Sequence, residues 1–409
     1  ASIVEDGLEQ KAFPGCQVLV AKDGMIIYDK SFGYFDYDKK QAVDENSIYD
    51  LASSSKAAGT LLAVMKAYDD KKFTLNNKIS DFIPELKDSD KKNLVIKDLL
   101  YHQSGLTPTI NFYLNAIDRD SYKGSLYSNV KNQAHPVRFD ARTYVRNDFS
   151  FLSGLVSFDR RPGFTTEVAH KMYLHDSFKD TIIQEIKDSR LGVRGKYKYS
   201  CINFILLKMM VEKQMQQPMD RLLHDTFFSR LGAWHTTYNP LHIFDTIQIV
   251  PTEYDGFIRR QLLRGYVHDE AAAFQGGVSG NAGLFSNAGD LAKVLQLYLN
   301  QGHYGGEGYL SKETFRLFTQ SKSPTCRRGL GFDKPVAGGG KASPCGSLAP
   351  ISVYGHTGFT GTCFWVDPDN NLLYIFLSNR VNPTRANNKL SSLNIRTRIQ
   401  DAIYKAINN

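Results

Sequence analysis

Long apolar runs are missing from this 409-residue sequence. No stretch approaches the roughly 18 consecutive apolar residues of a membrane-spanning helix, so no transmembrane segment is predicted. The first ten residues, ASIVEDGLEQ, contain acidic side chains and lack the apolar core of a signal peptide. The sequence also lacks an initiator methionine. We therefore expect a processed or excised fragment, preceded in its full-length form by a signal sequence or another domain.

Cysteine is scarce, and its spacing indicates no metal site. The chain has five cysteines, an odd number, and none forms a CxxC pair. This spacing predicts no zinc site. Cys326 and Cys345 flank a glycine-rich segment, Gly338 to Gly340. This leaves two alternatives open, a disulfide in an oxidising compartment or free thiols.

Clustered basic charge is also absent, although the net charge is +8. Lysine and arginine are scattered, with only short runs such as Lys39-Lys40 and Arg327-Arg328. A nucleic-acid-binding surface needs a denser basic patch, so no nucleic-acid partner is predicted. The composition, 42% hydrophobic and 22% charged, is that of a soluble globular protein.

Strand patterns lie near both ends of the chain. Residues 17–21 and 25–28 flank a Lys-Asp-Gly turn, and residues 361–366 and 372–378 flank an Asp-Pro-Asp-Asn-Asn turn. Both patterns predict β-hairpins. Residues 390–407 have helical periodicity and predict a C-terminal helix. Strands from the two ends can share one sheet if the middle of the chain is an insertion.

The middle of the chain is mostly helical in its pattern. Residues 56–70, 203–213 and 290–300 predict helices, the last with an N-cap at Asn287 or Asp290. Residues 107–194 differ, because they are rich in aromatic and charged residues and have little periodicity. We interpret them as a long excursion that roofs a cleft.

We therefore predict an α/β fold with two parts. Residues 1–52 and 346–409 form a sheet domain flanked by helices, and residues 53–345 form a mostly helical domain. The second part includes the lid-like insertion at about 107–194. The cleft between the two parts is the predicted active site.

Ser53 and Lys56 form the first candidate constellation. Their Ser-x-x-Lys spacing at a helix start places a hydroxyl and an amine on one face, close enough to share a proton. The backbone N–H groups at such a start favour a developing oxyanion. This arrangement activates a serine without a histidine. The structural alternative is an N-cap serine beside a surface lysine.

Two further constellations follow. In Tyr197-Lys198-Tyr199-Ser200-Cys201-Ile202-Asn203, a tyrosine near a lysine has a lowered pKa, which makes its phenolate a usable base. In Gly355-His356-Thr357-Gly358-Phe359-Thr360-Gly361, glycines in a strand indicate close approach of a ligand. There a strand N–H completes an oxyanion hole. The alternatives are a partly buried aromatic residue and a bulged edge strand.

Together, the three ordered motifs resemble those of the serine hydrolases of the penicillin-binding-protein and β-lactamase superfamily. The branch with class C β-lactamases, D-alanyl carboxypeptidases and related esterases is the most similar. Phe13-Pro14-Gly15, residues 99–106 (LLYHQSGL) and residues 282–286 (AGLFS) extend the likeness over nearly the whole chain. The sequence looks most like the β-lactamase-type domain fused to family 3 glycoside hydrolases in Bacteroides-group bacteria.

The resemblance implies a role for each matching residue. It makes Ser53 the acylated nucleophile and assigns proton transfer to Lys56 and Tyr199. It places His356 and Thr357 on the opposite wall of the cleft, with Gly358 beside them. It also implies an oxyanion hole made by the N–H groups of Ser53 and Phe359, and a reaction that needs no metal and no organic cofactor.

Four positions depart from the family pattern. Cys201 stands where the family has the Asn or Asp that helps to hold the lysine and the substrate amide, and cysteine is a weaker hydrogen-bond partner. Asn203, two residues further along, takes the place of the missing Asn or Asp only if the register of the turn is shifted. Gln103, Asn281 and Ala271 replace the usual Thr, His and Asn. His102 and His268 are interpreted as structural.

Two functions are therefore predicted as alternatives. The first is a serine hydrolase that forms an acyl-enzyme with a D-amino-acid peptide, a β-lactam or an ester. The second is a weakly active or inactive module that binds cell-wall fragments in the same cleft. The expected partners are a small-molecule or peptidoglycan-peptide substrate and a preceding glycoside hydrolase domain. The resemblance implies a periplasmic or cell-envelope location.

Overall fold

Both ends of the chain contribute strands to one antiparallel sheet. This is seen in a computed structural model that describes residues 1–337, 339–340 and 342–408. The five strands are β1 (Gly15–Lys22), β2 (Met25–Gly33), β3 (Tyr354–Thr357), β4 (Cys363–Asp367) and β5 (Leu372–Ser378). Their order in the sheet is β3-β4-β5-β1-β2. Both predicted hairpins form, and β1 pairs with β5, which joins the two ends of the chain.

The central strands are buried on both faces. Along β1, Leu19 and Ala21 enter the larger hydrophobic core, while Val18 and Val20 enter a smaller core on the other face. Successive side chains of a strand point to opposite faces of the sheet, so apolar residues of β1 lie on both faces. This explains why the sequence shows a continuous apolar run here, where a half-exposed strand would alternate.

The described part of the chain contains eleven α-helices, which lie on both sides of the sheet and beyond it. They are α1 (Ser2–Glu9), α2 (Leu61–Asp69), α3 (Ile96–Leu100), α4 (Phe178–Asp188), α5 (Cys201–Met215), α6 (Met219–Leu223), α7 (Glu270–Ala273), α8 (Ala288–Leu299), α9 (Lys312–Gln320), α10 (Lys389–Ser392) and α11 (Ile395–Ile407). Helices α1 and α11 pack on each other and share the smaller core with one face of the sheet. The predicted C-terminal helix is divided into α10 and α11, because Asn394 adopts a left-handed conformation between them.

Helix α8 covers the other face of the sheet, where it packs against β1 and β5. Its N-cap is Asn287, whose side chain accepts a hydrogen bond from the Asp290 N–H. The Gln17 side chain on β1 accepts another from the Ala288 N–H. A helix from within residues 53–345 thus packs directly on the sheet. The domain boundaries at 52 and 346 stay a prediction.

Short turns connect the helices. They are the 3₁₀ turns Ala52–Ser54, Ile79–Asp81, Pro84–Leu86, Phe112–Ala116, Arg119–Ser121, Pro240–His242 and Thr246–Gln248, and the π turns Lys56–Thr60 and His224–Phe228. The predicted helix over 56–70 therefore begins as a π turn and continues as α2. Its apolar side chains are buried, as its amphipathic pattern requires.

The segment 107–194 contains more regular structure than its sequence pattern suggests. It has two three-stranded sheets and helix α4. The strands are Tyr127–Ser128, Val137–Arg138, Tyr144–Val145, Val156–Ser157, Thr166–Ala169 and Met172–Leu174. Strands of two to four residues are too short to show a period, so sequence analysis missed them. Its aromatic side chains pack edge to face with one another and with Phe257.

Short strand pairs complete the fold. They are Leu284–Ser286 between Tyr49–Asp50 and Thr237–Tyr238, Tyr254–Asp255 with Gln261–Leu262, and His303–Tyr304 with Glu307–Gly308. All five cysteines are free, so Cys326 and Cys345 are not bonded to each other. Gly338, the first residue of the glycine-rich segment between them, lies outside the described residues. No helix in the described part of the chain has the length and apolarity needed to cross a membrane.

Candidate active site

Ser53 lies on a tight turn that directly follows the strand Tyr49–Asp50. Ala52 adopts a left-handed conformation, with φ of 47°, which is costly for a residue with a side chain. The Asp50 carboxylate stabilises this turn by accepting hydrogen bonds from the N–H groups of Ala52 (2.8 Å) and His268 (2.7 Å). The turn presents Ser53 partly exposed while the residues around it are buried.

Lys56 is fully buried and aimed at Ser53. Its Nζ donates hydrogen bonds to the Ser53 Oγ (2.8 Å) and to the Asn281 carbonyl oxygen (2.9 Å). The Cys201 Sγ lies 3.5 Å away as a third, weaker acceptor. The structural alternative, a surface lysine, is thus wrong for Lys56.

Tyr199 completes this group at the start of α5. Its ring centroid lies 5.1 Å from the Lys56 Nζ. Ser200 is the N-cap of α5 and accepts a hydrogen bond from the Ile202 N–H. The His102 ring packs on Tyr199, with centroids 4.6 Å apart. The tyrosine is thereby fixed between the lysine and the histidine.

The protonation states of this group follow from burial and charge. The predicted lowering of the Tyr199 pKa is wrong, because burial raises this pKa above its usual value, although Lys56 acts in the opposite direction. Burial also raises the pKa of the Cys201 thiol. Burial alone would lower the pKa of Lys56, but Cys201 and Tyr199 outweigh it and raise that pKa. At neutral pH we therefore assign an ammonium, a phenol and a thiol to these three residues.

Strand β3 forms the opposite wall and carries His356 and Thr357. The His356 Nδ1 donates to the carbonyl oxygen of Thr357 (2.7 Å), and the Arg328 Nη2 lies 3.5 Å from its Nε2. Burial, Arg328 and Lys56 together lower the pKa of His356 to about 3. The imidazole is therefore neutral at any physiological pH. It brings no positive charge to the wall.

Gly358 allows this wall to approach the nucleophile turn. A Cβ at this position would overlap the Thr362 Oγ1 and the Leu51 carbonyl oxygen. The hydroxyl groups of Thr360 and Thr362 donate to the carbonyl oxygens of Asp50 (2.7 Å) and Leu51 (2.9 Å). A residue without a side chain is therefore needed here, because the backbone of this wall lies close to that of Leu51. The N–H of Phe359 next to it has no hydrogen-bond partner within the described residues.

The cleft has two halves that meet at Ser53 and Phe359. One half, about 370 Å³, lies against β3 and is lined by Tyr199, His356, Thr357 and four arginines. The other half, about 250 Å³, is lined by Tyr113, Phe139, His268, Asp269 and Ala271, among others. Tyr113 and Phe139 belong to residues 107–194, so this segment supplies part of the cleft wall.

Gln103, one of the departures from the family pattern, has an identifiable structural role. Gln103 bonds to the carbonyl oxygen of Gly195 (3.0 Å), to the hydroxyl of Thr325 and to that of Ser323 (3.1 Å). It thus joins the segment before Tyr199 to the segment before Arg327. This is a positioning role, and no contact with Lys56 is involved.

Asn281 and Asn203 differ in their relation to Lys56. The main-chain oxygen of Asn281 accepts from Lys56, and its side chain donates to the Asp269 Oδ1 (3.1 Å). Asn203 instead bonds to the His102 Nδ1 (3.0 Å) and accepts from the Ser104 hydroxyl (2.6 Å). The turn is not re-registered, so Asn203 does not compensate for Cys201.

Both histidines that the sequence analysis interpreted as structural are buried in hydrogen-bonded positions. His102 accepts from the Ser200 N–H (3.2 Å). The His268 Nε2 lies 2.8 Å from the Glu253 carboxylate, and its ring stacks on Phe359. Among the described residues, no three His, Cys, Asp or Glu side chains cluster as metal ligands.

Comparison with known proteins identifies the family. The family model named Beta-lactamase matches residues 1–395. The chain belongs to the β-lactamase family. It is 32% identical over 394 residues to a putative D-alanyl-D-alanine carboxypeptidase of Escherichia coli K12, which covers 90% of this chain and 79% of that protein. It is therefore a serine hydrolase of the β-lactamase and penicillin-binding-protein type, which favours the hydrolase over the inactive module.

Solved structures confirm the β-lactamase/transpeptidase-like fold. A D-alanine carboxypeptidase AmpC from Burkholderia cenocepacia aligns with a TM-score of 0.61 at 16% identity, over 96% of both chains. A class C β-lactamase aligns with a TM-score of 0.62 at 14% identity, over 98% of this chain and 96% of the other. The predicted α/β fold class, an antiparallel sheet flanked by helices, is confirmed.

The sequence analysis missed the arginines of the cleft. Arg327 and Arg328 were noted only as a short basic run, and Arg380 and Arg396 were not singled out. All four line the β3 half of the cleft. The sequence offered one local sign of a cleft residue: Arg380 stands just after the end of a predicted strand, in Ser378-Asn379-Arg380. Only the fold brings residues 327–328, 380 and 396 together.

Proposed function

We propose that this β-lactamase-family hydrolase cleaves a peptide that ends in a D-amino acid, through an acyl-enzyme on Ser53. The observation that carries the proposal is the 2.8 Å hydrogen bond from the buried Lys56 to the Ser53 hydroxyl, beside an arginine-lined cavity. A C-terminal carboxylate suits guanidinium groups. Neutral esters have no such group, and a β-lactam carboxylate is the alternative ligand.

The proposed reaction begins when the group of Ser53, Lys56 and Tyr199 has lost one proton. The Ser53 Oγ then attacks the carbonyl carbon, and its proton passes to Tyr199 or Lys56. The N–H groups of Ser53 and Phe359 would hold the oxyanion. The C–N bond breaks as the leaving amine takes up that proton. A water molecule hydrolyses the ester, with the same residues handling its proton.

The two halves of the cleft would hold the two parts of the substrate. The leaving D-amino acid would lie against His356, Thr357 and Gly358 in the arginine-lined half. The acyl part would lie between Tyr113, Phe139 and Ala271 in the other half. Cys201 would contribute a weak hydrogen bond to Lys56 where the family has an amide or carboxylate.

The proposed setting is the cell envelope, with a peptidoglycan peptide as substrate. The carboxypeptidase name of the Escherichia coli relative supports this proposal. A periplasmic location and a preceding glycoside hydrolase domain stay predictions from the resemblance.

The test is release of D-alanine from N-acetyl-L-Lys-D-Ala-D-Ala, measured with D-amino-acid oxidase. We expect turnover by the wild type and none by Ser53→Ala. Ser55→Ala, which alters a buried neighbouring hydroxyl, is the matched control for the substitution itself. Equal release by wild type and Ser53→Ala would contradict the proposal.

A further inference from the structure

The β3 half of the cleft has a strong excess of positive charge. Four arginines line it, Arg327, Arg328, Arg380 and Arg396, together with one carboxylate, Asp333. His356 is neutral, as shown above. These charged groups leave three positive charges beside Ser53.

Asp333 is the one acidic partner of this cluster among the described residues. It accepts from the Arg327 Nε (2.7 Å) and forms an ion pair with the Arg328 Nη1 (3.0 Å). Burial favours the neutral acid, but Arg328 and Arg327 outweigh it and lower the pKa of Asp333. One carboxylate is thus shared by two guanidinium groups. The buried Nε of Arg328 has no hydrogen-bond partner in the described part of the chain.

Arg380 and Arg396 form the second part of the cluster and have no acidic partner among the described residues. The Arg380 Nε donates to the Phe359 carbonyl oxygen (2.8 Å), and the Arg396 Nη1 donates to that of Thr362 (2.9 Å). Burial and the nearby Arg396 lower the pKa of Arg380 to about 10. The Arg380 side chain therefore remains charged at neutral pH.

The two arginine pairs stand beside different residues of the cleft. Arg328 lies near Tyr199 and His356, with its guanidinium 5.8 Å from the Tyr199 ring centroid. Arg380 stacks on Phe359 at 4.5 Å. Arg380 is buried without a carboxylate partner among the described residues, and the partly exposed Arg396 lies nearby. Burial of an unpaired charge is costly, so the site favours a ligand that supplies negative charge. A single α-carboxylate would neutralise only one of the three charges.

We propose that the leaving group is a dianion, a D-amino acid with a side-chain carboxylate, such as D-glutamate or D-aspartate. Each arginine pair would hold one carboxylate by charge-assisted hydrogen bonds. This inference rests on the proposed function and specifies its substrate class.

The test compares two peptides that differ only in charge, N-acetyl-D-Ala-D-Glu and N-acetyl-D-Ala-D-Gln. Calorimetry on Ser53→Ala protein measures binding without turnover. We expect the D-Glu peptide to bind at least about tenfold more tightly, and its advantage to shrink as salt is raised. Equal affinities would overturn the inference.

Two variants test the arginines themselves, each in the Ser53→Ala background. Arg327→Gln and Arg396→Gln alter partly exposed side chains, so both should fold. We expect at least one of them to reduce the preference for D-Glu to less than about threefold. Arg221→Gln removes the same charge from an exposed site on α6 and should keep the full preference. An unchanged preference in both cleft variants would overturn the inference.

Wild-type kinetics separate this inference from the proposed function. If the wild type hydrolyses both peptides equally well, the proposed function stands and the dianion inference fails. If it hydrolyses neither peptide nor any D-Ala peptide, the proposed function fails. The inference then fails as well, because an uncleaved peptide has no leaving group, even if the Ser53→Ala protein binds the D-Glu peptide more tightly.

Discussion

The Lys56 ammonium lies 2.8 Å from the Ser53 hydroxyl oxygen and donates a hydrogen bond to it. Lys56 is fully buried, and its other acceptors are a carbonyl oxygen and a thiol. No carboxylate bonds to it within the described residues. In the proposed mechanism, Ser53 and Tyr199 face the cleft while the lysine that shares their proton is closed off from solvent.

Replacing Lys56 tests this group directly. We expect Lys56→Ala to slow acylation by about 10²- to 10⁴-fold, because it removes a proton-handling partner and leaves a cavity beside Ser53. Stopped-flow acylation by a chromogenic ester measures the effect. Lys66→Ala changes a partly exposed lysine on α2, far from the cleft lining, and serves as the control. A rate for Lys56→Ala within threefold of the wild type would remove Lys56 from the mechanism.

The raised pKa of Tyr199 predicts a dependence on pH. Burial holds the phenol neutral, so the phenolate fraction grows as pH rises toward that pKa. We expect the acylation rate to increase from about pH 6 to about pH 9, the range below an ordinary tyrosine pKa. His356, with a pKa of about 3, should add no inflection in this range.

Tyr199→Phe should lower the acylation rate by about 10²-fold or more and flatten this profile. Its melting temperature should change little, since the ring still packs on His102. A variant that keeps the wild-type rate and the same rise with pH would exclude Tyr199 as the proton acceptor.

Cys201 offers a gain-of-function prediction. Its thiol is a weak acceptor 3.5 Å from the Lys56 Nζ, and asparagine is of similar size with a better acceptor oxygen. We expect Cys201→Asn to raise kcat severalfold and Cys201→Ala to lower it slightly. Steady-state kinetics on one substrate measure both. A fall in Cys201→Asn would mean that this enzyme is adapted to cysteine.

Gly358→Ala tests the close contact between β3 and the nucleophile turn. A methyl group there meets the Thr362 Oγ1 and the Leu51 carbonyl oxygen, so the turn must shift. We expect a loss of about 1–3 kcal/mol in urea unfolding, together with a loss of activity. Gly154→Ala is the matched control, because its added methyl group meets nothing within 4 Å. Equal stability of the two variants would contradict the contact.

The sequence predicted those features that depend on local pattern or on ordered motifs. The two hairpins and the positions of Ser53, Lys56 and Tyr199 at helix starts were predictable, because turn residues and spacing are local signals. The sequence could not show that Arg327, Arg380 and Arg396 share one cavity. That proximity depends on how the chain ends return to the same sheet.

The residues that depart from the family pattern were also hard to interpret from sequence alone. Gln103 departs from the family pattern, yet it joins two cleft segments by three hydrogen bonds. Cys201 remains the one departure that weakens a contact of Lys56. A pattern shows that a residue is unusual, and only its contacts show what it does.

Intact-protein mass spectrometry after incubation with a fluorophosphonate tests the central claim most directly. The account predicts one adduct, which peptide mapping places on Ser53 and which is absent in Ser53→Ala. It also predicts slower labelling of Lys56→Ala. No adduct in well-folded wild-type protein, or an adduct that persists in Ser53→Ala, would contradict the claim that Ser53 is the nucleophile.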